Sequence, residues 1–249
     1  MKQYVFLEHL KRLVRLADAR LARGRTLQEF RGITFPLIKT RFWDETSPEN
    51  FAREIHPYFN HMPSLSRGAW VVDAGAATGQ FAVAFGLTHP NCHIVAFEPS
   101  PRQRILLQRN LTINSLTSRS TIKPFGLWNA GTTLAFRTHA ALSSLADASQ
   151  IPAEYAFTER VPVIRLDDWA KENPPPRLDL VKMDIEGAEI EALQGMEKTL
   201  ATYRPALLVQ AYHLRDGTRT LERCAAILNA MKYNCHEADA SGLLVATPG

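Results

Sequence analysis

No stretch of this 249-residue sequence is apolar for long enough to span a bilayer, so no transmembrane helix is expected. The N-terminal MKQYVFLEHLKRLVRLADARLARGR has no uninterrupted apolar centre, which argues against a secretory signal. Cysteine is scarce. Cys92, Cys224 and Cys235 fall in no paired or metal-binding spacing, so neither a disulfide framework nor a zinc site is expected. They read as buried free thiols of a reducing compartment, and a cytoplasmic location is the expectation. Internal repeats and low-complexity tracts are also lacking. So is the G-x-G-x-x-G turn of most dinucleotide folds. What is present is ordinary for a globular protein: 45% hydrophobic and 22% charged residues, enough for a sizeable core. The length suits one α/β domain with an extension, or two small domains.

Charge is unevenly placed. Residues 1–41 hold ten Lys/Arg against Glu8, Asp18 and Glu29, a balance of +7, so the remainder is near −3 within the total of +4. Phe6, Leu10, Leu13, Val14, Ala17 and Leu21 recur at helical spacing, with Lys11, Arg12, Arg15 and Arg20 elsewhere around the helix. A basic amphipathic helix suits peripheral contact with an anionic membrane or an acidic partner. The plainer expectation is a helix packed on its own domain with a solvated basic face. Gly32 to Pro63, rich in proline and aromatics, reads as loops and short helical turns that serve as a lid or docking surface. Residues 1–63 are thus expected to be an extension and 64–249 the main domain.

From Ala69 onward, apolar strands alternate with amphipathic helices. AWVVDA is a buried parallel strand, Gln80 to Leu87 a helix, HIVAFE the second strand, Pro101 to Asn114 a helix and Ser120 to Pro124 the third strand. TTLAFRT and ERVPVIRL read as strands around a polar loop, Thr138 to Ala156. Leu178 to Asp184 is the fourth core strand, Ala188 to Leu200 one helix, PALLVQAYH the fifth strand and Thr218 to Met231 a helix. YNCHEA and GLLVAT form a closing pair. Such alternation predicts a doubly wound, mostly parallel sheet.

VVDAGAATGQF carries the first site. A strand ends at Asp73, and Gly75 and Gly79 bracket a tight turn, with Ala76 inside it. Glycine lets backbone approach a ligand closely, but the D-x-G-x-x-x-G spacing lacks the glycines that make room for a pyrophosphate. Glu98, followed by Pro99, closes the next strand 25 residues after Asp73, where a carboxylate can accept both ribose hydroxyls. A nucleoside without phosphates and with a cationic portion fits, and S-adenosylmethionine is such a compound. Gly126, after the third strand, is counted with the cofactor positions.

VKMDIEGAEIEALQGM carries the second. Ligands of such sheets lie at the carboxyl ends of the strands, so Lys182, Asp184 and Glu186 face the place where a methyl donor would rest. Methyl transfer to a hydroxyl needs alignment and removal of a proton. Asp184 and Lys182 are expected to position and deprotonate the acceptor, with His213 an alternative base and Glu186 ordering the loop and following helix. Asp184, Glu186 and Glu189 supply hard oxygens, but no second downstream acidic pair marks a magnesium site, so no metal is required.

VVDAGAATGQF, HIVAFEPSPRQRILLQRNLTIN, VIRLDDW and LVKMDIEGAEIEALQGMEKTLATYRPALLVQAYH together resemble the FkbM family of S-adenosylmethionine-dependent methyltransferases, in order from about Trp70 to His213. The resemblance implies a Rossmann-like class I methyltransferase fold whose final strand is antiparallel, and O-methylation of a sugar or natural-product hydroxyl. By position it also implies cofactor roles for Asp73, Gly75, Gly79 and Glu98. Lys182, Asp184, Glu186 and Gly187 match its acidic signature, and Ser143, Ser144 and Leu145 its Ser-Ser-Leu segment. Ala77 and Thr78 depart from the Asn and Ile often found there. GLWNAGTT departs from the family's usual small and acidic residues after the third strand, with Trp128 or Phe125 the expected wall for the adenine. Other classes remain alongside. A protein or nucleic-acid N-methyltransferase would use an Asn-Pro-Pro-aromatic motif, but ENPPPRLD lacks the aromatic and precedes the fourth strand. A nicotinamide dehydrogenase would need the missing phosphate glycines. A non-catalytic nucleoside-binding protein on the same fold is the third alternative. No nucleic-acid partner is expected, because the basic segment lacks aromatic interleaving.

Overall fold

The computed structural model describes residues 13–14, 16–39, 46–138, 143–144, 157–238 and 241–249. After a helical segment over 16–21, β1 (Gly24–Phe30) and β2 (Ile33–Lys39) pair antiparallel. Arg31 and Gly32 both take positive φ, 50° and 76°, as the two-residue hairpin turn that suits strand twist demands. Helix α1 (Pro48–His61) follows, started by the Ser47 hydroxyl, which accepts from Asn50 N at 3.2 Å, and by Pro48 in its first turn. The expectation of loops and short turns over 32–63 is therefore corrected to a hairpin and a four-turn helix. Pro36 within β2 and Pro57 within α1 mask both patterns.

The remainder alternates as the sequence requires: β3 (Trp70–Ala74), α2 (Gln80–Thr88), β4 (His93–Phe97), α3 (Pro101–Ile113) and β5 (Ser120–Lys123). Next come β6 (Gly126–Leu127), β7 (Thr132–Thr138), β8 (Ser143–Ser144) and β9 (Phe157–Ile164), which form a small sheet of order β6-β9-β7-β8. Then follow α4 (Leu166–Glu172), β10 (Leu180–Met183), α5 (Glu189–Gln194), α6 (Glu197–Tyr203) and β11 (Ala206–Gln210). A two-residue pair, β12 (Leu214–Arg215) and β13 (Thr218–Arg219), precedes α7 (Thr220–Ala230), β14 (Tyr233–Glu237) and β15 (Leu243–Pro248). The main sheet has the order β14-β15-β11-β10-β3-β4-β5, with β15 antiparallel to both neighbours. The single helix expected over 188–200 is two. At Gly195 a side chain would lie 1.9 Å from the Trp128 carbonyl, and the backbone turns there to let the small sheet approach.

Strand residues alternate between two cores. Val71, Ile94, Leu180, Leu208 and Val245 face one, and Val72, Val95, Val181, Leu207 and Leu244 the other. Phe30, Phe35, Leu37, Phe51, Ile55, Tyr58 and Phe59 join the first core together with Phe81 and Phe85 of α2, so the hairpin and α1 pack directly on the sheet-covering layer. Asn110 of α3, fully buried, accepts from Ile38 N at 2.7 Å and donates to the Thr78 carbonyl at 2.8 Å, tying the hairpin to the glycine turn. The LDDW motif is explained here too. Asp167 accepts from Thr199 N and Oγ1, both at 2.8 Å, and from Lys198 N at 3.2 Å, so it caps α6.

Candidate active site

β3 and β10 run parallel with Asp73 directly opposite Lys182. By strand parity both side chains point to the α1–α2 side of the sheet. The Lys182 ammonium lies 3.1 Å from Asp73 Oδ1, donates to the Gly75 carbonyl at 3.1 Å, and sits 5.4 Å and 5.8 Å from the Tyr58 and Phe81 ring centres. Burial works against that ammonium, but Asp73 and Asp184 outweigh it and raise its pKa, so Lys182 stays charged. Burial likewise raises the Asp73 carboxyl, with Lys182 pulling the other way. The pair clamps the end of β3 to the start of the glycine turn.

That turn requires its glycines. At Gly75, with φ +73°, a Cβ would stand 1.9 Å from the Asp184 carbonyl. At Gly79, with φ +87°, it would meet Leu107 Cδ1 at 2.5 Å. Between them, the buried Thr78 hydroxyl has no hydrogen-bond partner among the described residues.

The turn opens into a cleft of about 330 Å³ at the carboxyl ends of β3, β4 and β10. One end is largely apolar, walled by Leu127, Val161, Val163, Pro99 and Gly126. Glu98 lines it, accepting from Ala77 N at 2.9 Å through one carboxylate oxygen and from Ser100 N at 2.8 Å through the other. Burial lifts this carboxyl to about 7 despite those two bonds. The opposite end is polar and carries Asn50, Arg53, Glu54 and Tyr58 of α1 with Asp184, Glu186 and Tyr212. The Tyr58 hydroxyl donates to Asp184 Oδ2 at 2.9 Å. Burial and the Asp184 charge raise the Tyr58 pKa well above that of a free phenol, which keeps it a donor. Tyr212 is raised as well, by burial and by the charges of Glu186, Asp184, Glu54 and Glu189.

Glu186 adopts φ 58° and Gly187 φ 97°, a left-handed pair that turns the chain from β10 into α5. The turn directs Glu186 to His213, whose Nε2 lies 3.1 Å from Glu186 Oε2 and whose Nδ1 lies 3.4 Å from Glu189 Oε1. Burial opposes the imidazolium, yet the two carboxylates raise it to about 10. Glu189, considered among the hard oxygens, points inward, accepting from Gly187 N at 2.8 Å and Thr220 Oγ1 at 3.2 Å.

The structure brings Gly75, Ala76, Glu98, Pro99, Gly126, Lys182, Asp184 and Glu186 to the cleft wall, with Gly75 against both Lys182 and Asp184. Asp73, Gly79 and His213 stand behind the wall. His213, expected as an alternative base, is held protonated, so it has no lone pair to offer at neutral pH. Neither residue expected beside the adenine is among those lining the cleft. Phe125 and Trp128 pack into hydrophobic clusters, and Leu127, Val161 and Val163 line the cleft instead. Ser143 and Ser144 form β8 opposite Thr138 and Arg137, and Leu145 lies outside the described residues. Tyr58 and Tyr212 are not singled out by the sequence, and Thr78 is noted there only as a departure from the family's usual residue. For Tyr58 the available signal was its place in an aromatic run beside Phe59.

The sequence profile of the methyltransferase FkbM domain matches residues 73–235. Methyltransferase sdnD of Sordaria araneosa is 28% identical over 167 residues, which is 55% of this chain and 64% of that protein. Methyltransferase 1 of Beauveria bassiana is 27% identical over 146 residues, 52% of this chain and 59% of that protein. The chain thus spans less than two thirds of the length of either relative. Among solved structures, an FkbM methyltransferase from Methylobacillus flagellatus superposes with a TM-score of 0.54 at 22% identity, over 81% of this chain and 50% of that one. That likeness, together with the sheet order, shows the Rossmann-like class I fold. With the profile running from the acid of the glycine turn into β14, this chain belongs to the FkbM family of methyltransferases.

Proposed function

We propose that this domain methylates a hydroxyl of a small polyhydroxylated acceptor, a sugar or natural product that is neutral or cationic, with S-adenosylmethionine as donor. The carrying observation is the two-ended cleft: an apolar end holding one buried carboxylate, Glu98, and a polar end holding Asp184 on its Tyr58 hydrogen bond. The residues fit the cofactor. Gly75 and Gly79 leave backbone space, the Thr78 hydroxyl lacks a protein partner among the described residues, and each Glu98 oxygen keeps a lone pair for a ribose hydroxyl. Leu127, Val161 and Val163 suit an aromatic base. When bound, the cofactor supplies a methyl group already activated on a sulfonium.

The protein's own work is alignment and proton removal. Lys182 and His213 are charged and cannot take a proton. Asp184 can, through Oδ1, because Oδ2 is held by Tyr58. Glu54, Asp184 and Glu186 place three carboxylates around the polar end, against Arg53, 2.8 Å from Glu54, with Lys182 paired to Asp73 and His213 shared between Glu186 and Glu189. That balance favours hydroxyl- or amine-bearing acceptors and repels phosphate or carboxylate.

Two measurements test the reading. S-adenosylhomocysteine should raise the melting temperature while NAD leaves it unchanged. Radiolabelled donor should methylate neutral sugars, polyols or aminosugars and spare sugar acids and sugar phosphates. Protection by NAD, or preferential labelling of the acids, rejects it.

A further inference from the structure

The N-terminal helix is docked by the side opposite to its apolar stripe. At about 100° per residue, Leu13, Val14, Ala17 and Leu21 share one arc, and Ala19 falls roughly 190° from its centre. Ala19 is the buried residue, packed with Ile38 of β2 and Leu106 of α3. Arg109 of α3 donates to the carbonyls of both Ala19 and Ala22, fastening the end of the helix. Leu13, Val14 and Leu21 remain 50%, 45% and 74% exposed, and Ala17 is exposed with them. The stripe that should bury itself therefore faces outward while the helix is already held.

Composition says what it faces. Every exposed residue described between 13 and 27 is Leu, Val, Ala, Gly or Arg, with Arg20, Arg23 and Arg25 the charges. Residues 1–41 carry +7 while the rest of the chain is near −3, so the sequence concentrates its positive charge in this segment. Aliphatic side chains bordered by arginine match the boundary between acyl chains and anionic headgroups. A nucleic acid would have no use for four exposed aliphatic side chains, and a basic second copy of this segment would repel the first.

We propose that this helix face is a docking surface for an anionic phospholipid bilayer, on which the enzyme sits peripherally with Leu13, Val14, Ala17 and Leu21 toward the acyl chains. Vesicle co-sedimentation tests it. The full chain should pellet with phosphatidylcholine vesicles containing phosphatidylglycerol, less so as salt rises, and stay in solution with phosphatidylcholine alone. Leu13→Glu with Leu21→Glu should abolish pelleting. Arg20→Gln and Arg23→Gln should each lower the partition coefficient roughly fivefold. Unchanged melting temperatures would show that the variants fold, as their exposure leads one to expect. The proposal is overturned by no binding to the mixed vesicles, by binding that the double leucine variant retains, or by a lipid-free dimer that Leu21→Glu dissociates in sedimentation velocity. Tight binding to duplex DNA that the leucine variant retains would reassign the face to nucleic acid and overturn it equally.

Discussion

The Tyr58 hydroxyl lies 2.9 Å from Oδ2 of Asp184, joining α1, which precedes the matched family domain, to the acid at the end of a central strand. The helix that brings Tyr58 also supplies Asn50, Arg53 and Glu54 to the polar end of the cleft. The polar end is thus built partly from chain outside the family profile, while the glycine turn and Glu98 lie inside it.

Tyr58→Phe removes one hydrogen bond to a charged group and nothing else. Such bonds contribute about 1.5–3 kcal/mol, so turnover should fall tenfold or more while the affinity for S-adenosylhomocysteine holds. Steady-state kinetics beside calorimetry separates the two. Equal losses in both would mean that Tyr58 supports the whole cleft rather than orienting Asp184.

Glu98 gives a pH signature. Its carboxyl is raised from 4.5 to about 7, so the folded state binds a proton more tightly than the unfolded one. This group's stabilisation is complete below the unfolded value and is lost as pH rises toward 7. Ribose hydroxyls donate to the ionised form, so nucleoside binding should release a proton. S-adenosylhomocysteine affinity should therefore drop by up to about tenfold per pH unit below 7. Calorimetry in buffers of different ionisation enthalpy reads that proton directly. Glu98→Gln should abolish the pH dependence, and a pH-independent wild-type affinity would remove the carboxylate from the contact.

The parts of the site legible in sequence were local. Asp73 and Lys182 each close a short apolar run, and strand period alone puts them on one face. Gly75 and Gly79 declared a turn by spacing, and Glu98 followed at the next strand end. What escaped notice depends on distant chain. Tyr58 meets Asp184 across 126 positions, and Gly126 meets Val163 only through the β6–β9 pairing. Of the N-terminal stripe, Leu13, Val14, Ala17 and Leu21 are described and helical, while Phe6 and Leu10 lie outside the described residues. The orientation of that helix is set by Arg109 of α3, which no local periodicity reports. The hairpin at Arg31-Gly32 was hidden by Pro36, whose ring an edge pairing tolerates.

Lys182→Met should be a severe change. It leaves Asp73, fully buried, beside no cation, a situation that costs about 3–5 kcal/mol. The pair as a whole need not stabilise the fold. Asp73→Leu combined with Lys182→Met should therefore recover most of the loss measured by denaturant unfolding. Additive losses in the double variant would show that the two side chains do not act as a pair.

His213 decides between two bases. Flanked by Glu186 and Glu189, its imidazole is raised to about 10 from an ordinary 6.5. A raised base contributes its stabilisation fully below 6.5 and loses it as pH climbs toward 10. NMR of the ring carbons should accordingly show no titration across the neutral range, and Glu186→Gln should bring the midpoint down toward it. The pH–rate profile should then be governed by a group other than His213, and His213→Gln should lower stability while sparing most turnover per folded molecule. An imidazole that titrates near 6.5 in step with the acid limb of that profile would restore His213 as the base and leave Asp184 to orient the acceptor.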